Sequence, residues 1–257
     1  MDSLGEDSMR RSAAFFPIVL ALGAIILAPG GGAQARDGRE EGPTEIENCQ
    51  TISQPGSYKL VNNIAASLPP DGTADCLVIT ADFVTIDLGG FAIRGFPVSG
   101  PRAGSGILAK PPSGVVLQGI AVHNGSISDF FNGVDLSSAD DGSIVEGLRV
   151  IGPFGLPPNL KGGGIIANGI VKANNVSGYS TGISATGTVT GNYAARNAVG
   201  IDVGAGSTVI GNTALNNTQT GLVVDCPSNV TDNTAVNNGV NIMLNGNGCI
   251  NTNNVMP

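Results

Sequence analysis

The side chains able to do chemistry are few, and most are acidic. Asp135, Asp140, Asp141, Asp202 and Asp225 stand among strand-like segments, with Lys110 and a single histidine, His123. Paired carboxylates serve as acid and base in glycoside hydrolysis. A lysine near a carboxylate suits proton abstraction from a sugar ring. Spacing suggests two pairs on adjacent repeats, Lys110 with Asp135 and Asp202 with Asp225. Asp140 and Asp141 fall in SSADDGS, and Asp-Asp-Gly is an ordinary turn sequence. A lone outward His123 reads first as a surface residue and second as an acid/base group. The catalytic candidates are thus Asp135, Lys110, Asp140 and Asp141, and the ligand-binding candidates Asp202, Asp225 and His123.

Four cysteines, Cys49, Cys76, Cys226 and Cys249, form one close pair near each end of the chain. Four cysteines allow three pairings. Closeness in sequence favours Cys49–Cys76 and Cys226–Cys249. A metal site is disfavoured, because there is no Cys-x-x-Cys and only one histidine.

The elements that position these residues repeat. Asn174, Asn192, Asn212, Asn233 and Asn253 recur at intervals of 18, 20, 21 and 20 residues. A Gly-Ile-like step recurs as Gly106-Ile107, Gly133-Val134, Gly164-Ile165, Gly182-Ile183, Gly200-Ile201, Gly221-Leu222 and Asn241-Ile242. Two residues after each apolar member comes another, from Ala109 to Leu244, which is the period of a strand with one buried face. Ile86/Leu88, Ile120/Val122 and Leu148/Val150 mark preceding strands, with Ala92-Ile93 and Ser126-Ile127 as further pieces. A short capping turn is expected around residues 62–67.

A period near twenty, built of short strands and turns, indicates a solenoid. Each coil is too short to bury its own face, so stacked coils share one column of Val, Ile, Leu and Ala. Its narrow bore accounts for the absence of tryptophan among 257 residues. An asparagine in every coil can form an amide ladder in step with the backbone. Leucine-rich repeats need a Leu motif that this chain lacks.

Residues 1–35 have the form of a signal peptide: Arg10 and Arg11, an apolar run from Ala13 to Ala28, then Ala33-Gln34-Ala35 as the cleavage site. Residues 36–47 read as a flexible leader and 48–257 as the repeat domain. Without Arg10, Arg11 and the acids Asp2, Glu6 and Asp7, ten basic and seventeen acidic side chains remain, net −7. That balance argues against nucleic acid as a partner. The expected location is exported: periplasmic, cell-surface or extracellular, with no stable membrane span after cleavage.

The segments CQTISQPGSYKLVNNI and CLVITADFVTIDLGGFAIRGF, followed by Asn-rich coils, resemble the first turns and repeats of right-handed parallel β-helix proteins of the pectin-lyase-like superfamily, including NosD-like, carbohydrate-binding and sugar-hydrolase-type members. The resemblance covers roughly residues 48–257. It implies an all-β, single-stranded right-handed parallel β-helix (solenoid). Residues 48–80 would form an N-terminal cap linked by a disulfide. That architecture hosts lyases, hydrolases and plain binding scaffolds. Asp140-Asp141 resembles the Asp-Asp of polygalacturonase-like hydrolases, but their Gly-His-Gly and Arg-x-Lys elements are missing. No lyase motif is legible around Lys110, Lys161, Lys172, Arg94 or Arg149, and Ca²⁺ would enter only with a lyase. One histidine makes a poor copper site for a NosD-like role. The Pro/Gly-rich stretches PVSGPRAGSG and GPFGLPPNLKGG read as loops overhanging one face.

The expected function is an exported, non-catalytic carbohydrate-binding or surface/structural module, with a polysaccharide or cell-surface glycan as partner and no cofactor. The alternative is a polysaccharide-active lyase or glycoside hydrolase.

Overall fold

In the computed structural model, residues 42–67, 75–96, 104–153 and 162–257 are described. They form 23 strands of one curled sheet, and every ladder in it is parallel. A parallel neighbour needs a crossover, and here the crossover is the rest of the coil. Each strand pairs with the equivalent strand of the next coil, which gives three ladders in a solenoid-like stack.

The first ladder stacks Gln50–Ile52, Leu77–Ile79, Ser105–Ala109, Asn132–Asp135, the first halves of Gly163–Lys172 and Thr181–Thr190, then Val199–Val203, Thr220–Asp225 and Val240–Asn245. Its inward column runs Leu77, Ile107, Val134, Ile165, Ile183, Ile201, Leu222 and Ile242, the register expected from the Gly-Ile step. The second ladder runs from Thr44–Ile46 through Gly56–Leu60 and Val84–Asp87 to Ile250–Thr252, with Ile86, Val122, Val145, Val171, Val189, Val209 and Val230 inward. The third aligns Ile64, Ile93, Ile127, Val150, Val176, Ala194, Ala214 and Ala235. From Ile86 onward in the second ladder, and along the whole of the third, these inward side chains are buried. Branched residues suit such a pleated, buried surface.

Polar side chains occupy two corners. Asn174 Nδ2 donates to Asn192 Oδ1 at 3.0 Å, Asn192 to Asn212 at 3.0 Å, Asn212 to Asn233 at 3.0 Å, and Asn233 to Asn254 at 2.9 Å. Each acceptor oxygen also takes the backbone N–H of the preceding asparagine, for example Asn192 N–H to Asn212 Oδ1 at 3.0 Å. A second ladder runs Asn197, Asn217, Asn238 and Asn241, with Nδ2 to Oδ1 distances of 3.2, 2.9 and 3.2 Å. Its amides press on the glycines of the Gly-Ile step. A Cβ at Gly182, Gly200 or Gly221 would stand 2.6 to 2.7 Å from Asn197, Asn217 or Asn238 Nδ2. Glycine and asparagine recur together because one makes room for the other.

Several expectations change. The last member of the first amide ladder is Asn254, not Asn253. Asn253 has φ 55° and supplies the left-handed step before the ladder residue, as Ala173, Gly191, Gly211 and Asp232 do in the earlier coils. Val122 aligns with Ile86 and Val145 in the second ladder, whereas Val150 lies in the third, so the three expected pairs do not share one column. Ile64–Ala65 is a strand rather than a capping turn. Thr44–Ile46 already pairs in the sheet, with Ile46 fully buried, so the coil starts inside the expected leader. The described part of the expected cap, 48–67 and 75–80, is itself regular coil.

Both expected disulfides are present. Cys49–Cys76 joins the first two strands of the first ladder, beside Gln50 and Leu77, and Cys226–Cys249 joins two C-terminal coils. Paired cysteines suit an oxidising extracellular or periplasmic setting. No helix of the described residues is long and apolar enough to cross a membrane. The signal-peptide expectation, Lys161 and most of both Pro/Gly-rich loops lie outside the described residues.

Candidate functional site

Outward positions of the first ladder form a column of Val78, Leu108, Asp135, Ile166, Ser184, Asp202, Val223 and Met243. Small and polar residues in its middle leave an open groove of about 290 Å³, lined by Ser137, Asn168, Ser184, Thr186, Asp202 and Asp225 around Ile166, Ala167, Ala185 and Gly204. The groove includes small residues, Ser184 and Gly204, on successive coils.

Asp202 and Asp225 belong to adjacent coils. Asp202 is in register with Val223, so Asp225 is its diagonal neighbour, two residues further along. Burial, and then the charge of Asp225, push the Asp202 carboxyl above the usual aspartate range. Asp225 accepts a hydrogen bond from Asn245 Nδ2 at 3.0 Å and is exposed. The two carboxyls thus sit in different surroundings, Asp202 half-buried and Asp225 open to solvent.

The other candidates sit elsewhere. Asp135 is in register with Leu108. Its carboxylate accepts from Asn132 Nδ2 at 3.0 Å, from the Ser137 hydroxyl at 2.7 Å and from the Ser137 amide at 3.1 Å. It therefore closes a turn at one end of the groove, and no ion pair joins it to Lys110 among the described residues. Asp140 accepts from the amides of Gly142 at 3.1 Å and Gly119 at 3.3 Å, so it organises the turn that also holds Asp141.

His123 lies within the strand Ala121–Ser128, in register with Asp87 and Glu146. Its Nδ1 is 3.7 Å from Asp87 Oδ1, and it borders a separate open hollow with Asn124, Glu146 and Gly147. Partial burial tends to raise the Asp87 carboxyl. Hydrogen bonds from the Gly89 amide and Asn124, with the charges of His123 and Lys59, outweigh it and hold the carboxyl below its ordinary value.

No family model, curated protein or solved structure matches the chain. The functional reading therefore rests on the groove itself. Sequence reasoning picked out Asp202 and Asp225 but missed Ser137, Asn168, Ser184 and Thr186 as partners around one hollow. The alternation of the Gly-Ile strands points those residues outward, but the depth of the hollow depends on the size of their neighbours. Among the described residues no cluster of three or more His, Cys, Asp or Glu is placed to hold a metal ion.

Proposed function

We propose that the chain is an exported right-handed parallel β-helix protein of the pectin-lyase-like kind, and that its first ladder binds a polysaccharide or cell-surface glycan without turning it over. The supporting observation is the groove. Hydroxyl, amide and carboxylate groups of Ser137, Asn168, Ser184, Thr186, Asp202 and Asp225 line one open trough across successive coils. Such a set complements rows of sugar hydroxyls, and rigid strands keep it preorganised. Its two carboxylates, with no Lys or Arg lining it among the described residues, favour a neutral or amine-bearing glycan over a polyuronate.

The raised carboxyl of Asp202 beside the exposed carboxyl of Asp225 favours a second reading, glycoside hydrolysis with Asp202 as acid and Asp225 as base. The test is a panel of neutral, amine-bearing and acidic glycans, assayed by pull-down and by reducing-end release. Retention of a neutral or amine-bearing glycan without product supports the binding reading. Product that vanishes in Asp202→Asn replaces it with the hydrolytic one.

A further inference from the structure

The second ladder carries a charge pattern that the groove does not use. Its outward column places Glu45, Lys59, Asp87, His123, Glu146 and Lys172 in consecutive register, one residue per coil. Signs alternate along it when the imidazole is protonated. Two neighbours close directly, His123 with Asp87 at 3.7 Å and Lys172 with Glu146 at 3.1 Å. Beyond Lys172 the column turns uncharged, through Thr190, Ile210, Thr231 and Thr252. The adjacent outward column is small or apolar, namely Ser57, Thr85, Ala121, Ile144 and Ile170. The charges therefore stand on an open face that a second surface can approach.

The order of signs is its own complement when reversed. Parallel strands stack about 4.8 Å apart, so the six charges form an evenly spaced line about 24 Å long. Turned through a two-fold axis between Asp87 and His123, the line sets Glu45 against Lys172, Lys59 against Glu146, and Asp87 against His123, each twice. A two-fold interface requires such self-complementarity.

We propose that this face is the interface of a symmetric, antiparallel homodimer, the occupant being a second copy of this chain docked through the column from Glu45 to Lys172. Exposed ion pairs contribute little one by one, so the dimer is weak and salt-sensitive. The charged groups facing His123 along the column are Asp87 and Glu146, backed by Lys59 and Lys172. The groove lies on another ladder and stays open in both copies.

Sedimentation equilibrium of the purified protein at low salt tests the proposal. Lys172→Glu and Glu45→Lys each set like charges together twice, and each alone should weaken self-association at least tenfold. Mixed one to one, the two variants restore opposite charges at both ends, and heterodimers should return at wild-type affinity. Both variants change exposed or half-exposed side chains, and circular dichroism checks that each is folded. Wild-type protein that stays monomeric at low salt, or a mixture of folded variants that does not associate, would overturn the proposal.

Discussion

The N-terminal and C-terminal halves build the same coil from different materials. In the first ladder, Leu77, Ile107, Val134 and Ile165 are 30, 27 and 31 residues apart, whereas Ile165, Ile183, Ile201, Leu222 and Ile242 follow at 18, 18, 21 and 20. The corner that holds Leu148 beside Gly125 in the longer coils holds Asn174, Asn192, Asn212, Asn233 and Asn254 in the shorter ones. At the second corner, buried Phe130 and Tyr179 give way to Asn197 and Asn217. An aliphatic corner tolerates variation in coil length because it is non-directional. An amide ladder does not, because each member must meet the next within hydrogen-bond distance. The regular half is regular because its corners are hydrogen-bonded.

The largest effect should come from converting one kind of corner into the other. Asn212→Leu strands the Asn192 backbone amide, one of the two Nδ2 hydrogens of Asn192 and the Val189 carbonyl, while Asn192 Nδ2 keeps its bond to the Val171 carbonyl. Each buried unpaired group costs about 1–3 kcal/mol, so urea unfolding should show a loss of about 4 kcal/mol or more. Opening the C-terminal staple comes next. Replacing both Cys226 and Cys249 by serine frees a loop of 23 residues and should lower stability by about 3 kcal/mol. Leu148→Ala, in the aliphatic corner, should cost about 2–3 kcal/mol as an ordinary cavity. If Asn212→Leu proves milder than Leu148→Ala, the contrast between the halves is wrong.

The smallest effect is electrostatic and pH-dependent. Because folding raises the Asp202 carboxyl, its ionisation opposes folding. That penalty is absent below the ordinary aspartate value near pH 4 and complete once pH exceeds the raised folded value. Asp202→Asn should therefore stabilise the protein at pH 7 by a few tenths of a kcal/mol after solvent screening. Thermal melts should show the gain fading as pH falls toward 4 and gone below it. A gain that grows in acid would contradict the assignment.

Much of the coil was legible in the sequence because its period is carried by residues with one job each. The Gly-Ile step sets the first ladder in register from Gly106 to Ile242. The first amide ladder was legible but for its last member, since Asn253 and Asn254 are identical in type and differ only in backbone conformation. The second amide ladder escaped notice because its first coil holds Tyr179, fully buried and with its hydroxyl unpaired among the described residues, where an asparagine would have announced the pattern. Burial, and then the charge of Asp129, drive that phenol far above its ordinary pKa, so it stays neutral. The charge column was hidden for another reason: its members lie 14, 28, 36, 23 and 26 residues apart, and only the register aligns them. Lys110 and Asp135 looked paired from spacing alone, but Asp135 is held by Asn132 and Ser137.

The most direct measurement is a titration of the protein with a neutral or amine-bearing oligosaccharide identified by the glycan panel, repeated with Ser184→Arg. Ser184 sits in the middle of the groove between Ile166 and Asp202. An arginine there fills the hollow without touching the core. Saturable binding by the wild type, lost at least tenfold in a folded Ser184→Arg variant, is the predicted result. Equal binding by both proteins would show that the first-ladder groove is not where the glycan sits.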